Sequence, residues 1–297
     1  MKKNFKVFSF GIVGLLLAIV GLVVYLGYSF VNSPSSNIKQ EIIYEIAPAT
    51  SFLTIAKDLQ AKGVVKNAQI FSLFAKLTGT RGKIKKGEYA LNTQMRPSEV
   101  LDVITSGRSI AYPFTVSEGL NIFEIAELYA QKGFGSKVNF LKLATDPDFI
   151  QSLLGEKYSS LEGYLYPETY QMTKYTTTKE LITAMVRRFQ IVFSEVTKTY
   201  PLVGMTARQL VILASIVEKE TGTSEERPLI AGVFYNRLER KMKLQTDPTI
   251  LYGKAFLSGK LSMSITREDL LNDKNPYNTY VIPSLPPGPI SNPGKEA

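Results

Sequence analysis

The chain has 297 residues, 44% of them hydrophobic; 35 Lys and Arg stand against 26 Asp and Glu for a net charge of +9, and there is no cysteine and no histidine. That length accommodates a membrane anchor plus one large or two modest folded domains. The missing residue types exclude Cys/His nucleophilic catalysis, every Ser-His-Asp triad, disulfides, and zinc sites built on thiolate or imidazole, so any proton chemistry falls to Asp, Glu, Lys or Tyr.

Val7 to Val31 carries no charged side chain, and about 20 apolar residues in a helix cross a bilayer core. Lys2, Lys3 and Lys6 precede the run. They predict a single-pass protein of the cell membrane, with residues 1–6 in the cytoplasm, residues 7–31 in the membrane and the remainder exported. A cleaved signal peptide is the alternative. It would have a shorter apolar region, whereas Tyr25, Tyr28 and Phe30 stand where interfacial aromatics anchor a retained helix. Residues 32–40, beginning Asn32-Ser33-Pro34-Ser35-Ser36-Asn37, read as a polar linker. The net positive charge suits anionic lipid or an anionic wall polymer. Without a dense Lys/Arg run interleaved with aromatics, it does not point to nucleic acid.

Glu41 to Ile46 is short, β-branched and aromatic, which predicts a strand. Phe52, Ile55, Ala56 and Leu59 follow helical spacing up to Lys62-Gly63. A second helix is expected from about Asn67, with Ile70, Phe71 and Phe74 on one face. Residues 79–87 read as loop, Glu88 to Leu91 as a strand, and Pro97 to Ile104 as a helix stopping at Gly107. Ile55-Ala56 and Lys62-Gly63 recur seventy positions later as Ile125-Ala126 and Lys132-Gly133, each pair in a helix after a strand-like piece. Any amphipathic helix ending in Lys-Gly produces this echo, so a true repeat is not required.

Leu161 to Tyr170 packs two acids and three tyrosines around Gly163 and Pro167. Aromatic rings beside carboxylates suit a sugar cleft; a tyrosine-rich turn packed on the core is the equal alternative. Thr206 and Gln209 form a capping box at the start of a helix. Leu210 to Val217 is apolar nearly all round, so the helix is expected to be buried. It ends in Glu218-Lys219-Glu220-Thr221-Gly222, with Gly222 placed as the C-terminal cap. Two positions correspond to about 200° around the axis, so Glu218 and Glu220 lie on different faces. Glu220 shares its face with Leu213, Ile216 and Val217, the bulkier side, where desolvation and the helix C-terminus both raise a carboxyl pKa. A carboxylic acid protonated near neutral pH is what glycosidic cleavage requires. Solvated helix-end acids are the bland reading. Leu229 to Leu238 reads as another helix, Lys243 to Thr249 as a polar turn, and Asn275 to Tyr280 and Leu285 to Gly294 as fixed loops.

Six segments, in this order, resemble the YceG-like family of endolytic murein transglycosylases. They are Glu162 to Tyr170, Ala214 to Thr221, Val233 to Leu238, Leu244 to Thr249, Tyr277 to Tyr280 and Leu285 to Ile290. The resemblance implies an α+β architecture: a transmembrane helix, a small LysM-like module over 41–118 and a mixed α/β catalytic domain over 119–297. Members ordinarily continue past the proline-rich loop, so it also implies a catalytic domain truncated at its C-terminal end. It implies one catalytic glutamate, placed at Glu220 with Glu218 as second choice, and, by motif position, Glu162, Gln245, Asp247 and Asn278 as residues lining the cleft. The implied partners are peptidoglycan glycan strands, the cytoplasmic membrane and cell-wall synthases; no metal or other cofactor is implied. A non-catalytic wall-binding scaffold is the rival reading. A penicillin-binding-type acyltransferase is disfavoured, because the only Ser-x-x-Lys, Ser36 to Lys39, lies in the linker without a Lys-Thr-Gly.

Overall fold

The computed structural model describes residues 2–202 and 204–297. Met1, the first residue of the expected cytoplasmic tail, lies outside them, as do the side chains of residues 2–14 and 23, which include part of the expected membrane span. Helix α1 runs Lys2–Asn32. Its Leu15–Asn32 stretch has a mean hydropathy of 2.1 and none of it is buried in the protein, so it is long and apolar enough to cross a membrane.

The chain divides into two compact units, the first comprising Met1–Tyr112 with Thr173–Tyr175, the second Pro113–Met172 with Thr176–Ala297. In the first, β1 (Glu41–Ile46) pairs antiparallel with β2 (Gly87–Asn92), Glu41 opposite Asn92 and Ile46 opposite Gly87. Alternation puts Tyr44 and Ile46 into the core and Glu41, Ile43 and Glu45 outside. Between the strands lie α2 (Phe52–Ala61), capped by Ser51, and α3 (Ala68–Leu77), capped by Asn67; α4 (Pro97–Ser106) follows and stops at left-handed Gly107. Contrary to the expected face, α3 buries Ala68, Phe71 and Ala75 and leaves Ile70 exposed, because its apolar arc is wider than the stripe the core can cover.

β3 (Tyr112–Thr115) enters the second unit at Pro113, and the chain continues through α5 (Ile122–Gln131), α6 (Lys137–Ala144) and α7 (Pro147–Leu154) to β4 (Thr169–Met172). β4 pairs with β3. It was not expected from the sequence: only the distant partner strand organises this short piece, with Val116 N–H donating to Glu168 O at 3.0 Å. α8 (Thr178–Thr199) closes a core that holds Phe114, Ile125, Tyr129, Phe140, Leu161 and Met185. The remaining helices are α9 (Ala207–Glu220), α10 (Arg227–Glu239), α11 (Asp247–Ser258) and α12 (Arg267–Leu271). A further cluster joins Ile216 and Val217 of α9 to Phe234, Leu244, Tyr252, Tyr277 and Ile290.

The expected polar turn at Lys243 to Thr249 is instead the entry to α11. Thr246 is its N-cap and Pro248 sits in the first turn, where a proline gives up no helical hydrogen bond. Gly253 lies inside this helix, where a Cβ would run into the Asn275 side chain.

Candidate active site

Helix α9 starts on the expected capping box. Thr206 Oγ1 accepts from Gln209 N–H at 3.2 Å and Gln209 Oε1 accepts from Thr206 N–H at 2.9 Å. Val211, Ile212, Leu213, Ile216 and Val217 bury the helix in the second unit. The proline-rich segment holds it from the side. Ile290 N–H donates to Ser215 Oγ at 3.0 Å, Ser291 Oγ donates to Ser215 O at 3.0 Å, and Arg208 Nη2 donates to Pro287 O at 2.6 Å. Gly222 is not the cap. The helix ends because Thr221 turns extended at φ −137°, ψ 141°, and its side chain bonds forward, accepting from Thr223 N–H at 3.1 Å and donating to Glu226 Oε2 at 2.7 Å.

The two acids at this end have different environments, and the order of burial is the reverse of the one face composition suggested. Glu218 has a side chain only 6% exposed, paired through Oε1 with Arg227 Nη2 at 2.9 Å while Oε2 accepts from Gly294 N–H at 3.0 Å. Glu220 stands at the open end. Packing partners, rather than neighbours on the helix, decide this: α10 and the C-terminal loop close over Glu218 and leave Glu220 uncovered. Glu220 lines an open depression with Ser117, Glu118, Gly119, Lys219 and Arg227.

Three features bear on the Glu220 carboxyl. Partial desolvation, first, and the neighbouring Asp247 charge raise its pKa above the usual carboxylate value, while a hydrogen bond from Thr246 opposes them. That bond runs from Thr246 Oγ1 to Glu220 Oε2 at 3.2 Å. Asp247 in turn accepts from Tyr280 OH at 2.7 Å, and this bond, ahead of desolvation, pushes the phenol up to about 12. Gln245, exposed and just before Thr246, has φ +55°. A non-glycine residue there is strained by an amount on the order of 1 kcal/mol, and such strain concentrates at functional sites. Glu220, Thr246, Asp247 and Tyr280 thus form one connected group with Gln245 adjoining it in the chain. Thr246 and Tyr280 were within the recognised motifs but were not singled out; a hydroxyl and a phenol next to a charged residue were the available signal.

Glu162 and Asn278 are not brought to this surface. Glu162 is 1% exposed. Its Oε2 accepts from Ile122 N–H at 3.0 Å and its Oε1 from Asn292 Nδ2 at 2.9 Å. Asn278 is fully buried; its Nδ2 donates to the carbonyls of Asp269, Leu270 and Asn272 and its Oδ1 accepts from Tyr280 N–H at 3.1 Å. Both satisfy backbone groups at helix ends, Glu162 at the start of α5 and Asn278 at the end of α12, which must be satisfied when buried. The tyrosine-rich segment is likewise packed on the core: Leu161 to Leu165 are buried and Tyr164 stacks on Tyr158 at 5.5 Å.

Burial pushes the Glu162 carboxyl up to about 8 from 4.5, outweighing its N–H donors. A folded-state pKa above the unfolded one means that the native protein keeps a proton the unfolded chain has lost. The resulting stability is fully present below about pH 4.5 and is lost as pH rises through about 8. Thermal melts between about pH 5 and about pH 9 should therefore show a falling midpoint for the wild type and a flatter course for Glu162→Gln. Parallel courses would show that Glu162 does not carry the dependence.

Fold and site define an α+β protein with an open carboxyl site carried behind an apolar N-terminal helix. The sequence profile of the YceG-like family matches residues 44–297, and the chain belongs to that family. It is 32% identical over 314 residues to an endolytic murein transglycosylase of Streptococcus pneumoniae serotype 2, covering 95% of this chain and 56% of that protein, so the chain spans just over half of its length. It is also 32% identical over 291 residues to an endolytic murein transglycosylase of Bacillus subtilis, covering 93% of this chain and 79% of that protein. The crystal structure of a YceG-like protein from Listeria monocytogenes aligns with a TM-score of 0.55 at 32% identity, covering 86% of this chain and 88% of the other.

Proposed function

We propose that the protein is a membrane-anchored endolytic lytic transglycosylase. It cleaves the bond between N-acetylmuramic acid and N-acetylglucosamine in nascent glycan strands, leaves 1,6-anhydromuramic ends, and so terminates strands beside the synthases that make them. The observation that carries this reading is a carboxyl group with a raised pKa, presented to solvent at the end of a buried helix. Glu220, protonated, gives its proton to the bridging oxygen as the C1–O bond breaks. As carboxylate it then takes the proton of the muramic C6 hydroxyl while that oxygen bonds C1. One carboxyl serves as acid and then as base, and no water is consumed. Gln245 and Asp247 line the sugar-binding surface at this site; Glu218, held by Arg227, braces the helix end.

The names of the pneumococcal and Bacillus relatives support this reaction. The apolar stretch of α1, preceded by Lys2, Lys3 and Lys6, supports a cytoplasmic N-terminus with the chain after α1 outside the membrane. The order strand, helix, helix, strand over β1 to β2 supports a LysM-like, glycan-binding role for the region 41–118.

Asp247 beside Glu220 favours one second reading, a hydrolase using two carboxylates. Incubating the full chain in detergent with peptidoglycan and weighing the products separates the two. Anhydromuramic ends are expected; products one water heavier would establish hydrolysis, and no new ends from a folded protein would leave a binding scaffold.

A further inference from the structure

Thr246 occupies the N-cap position of α11, where a threonine side chain ordinarily accepts an N–H from the first helical turn. It makes no such bond. Pro248 has no N–H to offer, and Thr249 N–H goes to Thr246 O at 3.3 Å. The hydroxyl is turned the other way, onto Glu220 Oε2. Two further threonines hold it there. Thr246, Thr249 and Thr279 are all buried, at 1%, 0% and 0% exposure. Thr279 Oγ1 accepts from Thr246 N–H at 3.1 Å, Thr249 Oγ1 donates to Thr246 O at 2.6 Å, and the Thr249 and Thr279 hydroxyls lie 2.8 Å apart. With its backbone clamped on both sides and its branched side chain limited in χ1, Thr246 has little freedom to aim elsewhere. A buried position needing only bulk would accept valine.

We propose that Thr246 is a positioning residue for Glu220, its hydroxyl fixing the carboxyl rotamer and favouring the carboxylate that forms after the first proton transfer, and that Thr249 and Thr279 exist to aim it. This rests on the reading of Glu220 as the acid and base. The other charged or titratable groups around the carboxyl are Asp247 at the start of α11, Tyr280 on the loop, Glu118 on the turn before α5, Glu218 and Lys219 on α9, and Arg227 on α10. None of them is altered by substitution at Thr246, so a changed pH response reports on the hydroxyl.

The test uses the full chain in detergent, with anhydromuramic ends counted by mass spectrometry across pH. A hydroxyl donating to a carboxylate favours the charged form, so its removal raises the carboxyl pKa. Thr246→Val should lower kcat about tenfold, the low end for a hydrogen bond to a charged group. It should also move the alkaline limb of the profile to higher pH. Thr246→Ser should keep the limb and recover kcat to within about threefold, since the donor is retained. If Thr246→Val does not fold, Thr246→Ala is read in the same way. A loss of rate without movement of the limb would mean that Thr246 only packs, and would overturn the proposal. Carbon-13 titration of the Glu220 carboxyl in the same proteins separates this idea from its parent. If the wild type forms no anhydro ends, the transglycosylase reading fails, while a Glu220 midpoint raised in Thr246→Val and unchanged in Thr246→Ser still supports the contact. An unmoved midpoint refutes it.

Discussion

Glu220→Gln is expected to lower the yield of anhydromuramic ends by about a thousandfold or more, as removal of a general acid that is also the base should. The protein should remain folded. Glutamine has the shape of the acid, its carbonyl oxygen can still accept from Thr246, and the residue is exposed at a helix end, where substitutions usually change stability by less than about 0.5 kcal/mol. The variant therefore removes the transferable proton and little else. Activity of the wild type should fall as pH rises through the raised Glu220 pKa, because the first step needs the acid form. Glu218→Gln supplies the contrast. Its charge neutralises Arg227, whose side chain is only 8% exposed, and breaking a buried pair costs about 3 kcal/mol. That variant should melt earlier and retain product formation in proportion to the folded fraction. A folded, inactive Glu218→Gln beside an active Glu220→Gln would exchange the two roles.

The contrast between these two acids shows how far the sequence could be read. Periodicity and end signals predicted β1, α2, β2, α4, α9 and α10 closely, because caps such as Ser51 and Thr206 and stops such as Gly107 act within a few residues. β4 is local to nothing; it exists because β3 lies beside it. The entry to α11 was misread as a turn because Asp247-Pro248-Thr249 suits either outcome. At the end of α9 the helix and its two acids were legible, and which of them is buried was not. Helical geometry places Glu218 and Glu220 on different faces, but which face is covered depends on Arg227 and Gly294, nine and 76 residues away from Glu218. The burial of Glu162 and Asn278 was not legible for a related reason. A polar side chain in a Gly- and Pro-rich segment serves either a ligand or the backbone, and only the fold reveals buried N–H and C=O groups in want of partners.

Asn292→Ala should destabilise the second unit by about 3–4 kcal/mol, the cost of two buried groups left without partners plus the space left by the side chain. Asn292 is fully buried and joins three stretches that are distant in sequence. Its Oδ1 accepts from Leu165 N–H at 2.8 Å, and its Nδ2 donates both to Leu120 O and to Glu162 Oε1 at 2.9 Å. The backbone adds two more bonds, Asn292 N–H to Leu120 O at 2.9 Å and Gly119 N–H to Asn292 O at 3.0 Å. Alanine keeps these two and abandons Leu165 N–H and one donor to Glu162. In a unit of this size the change corresponds to about 10 °C in the melting midpoint. Activity should fall further than the folded fraction alone accounts for. The same segment holds α9 through Ser215 and Glu218, so loosening Asn292 loosens the helix end that presents Glu220. Asn292→Asp tests whether the donor matters as well as the bulk. It can still accept from Leu165, but above the Glu162 pKa of about 8 it places a second carboxylate against Glu162 and a lone pair against Leu120 O, so at that pH it should melt at or below the alanine variant despite filling the same volume. A midpoint within about 2 °C of wild type for either variant would show that the proline-rich segment is held by packing alone.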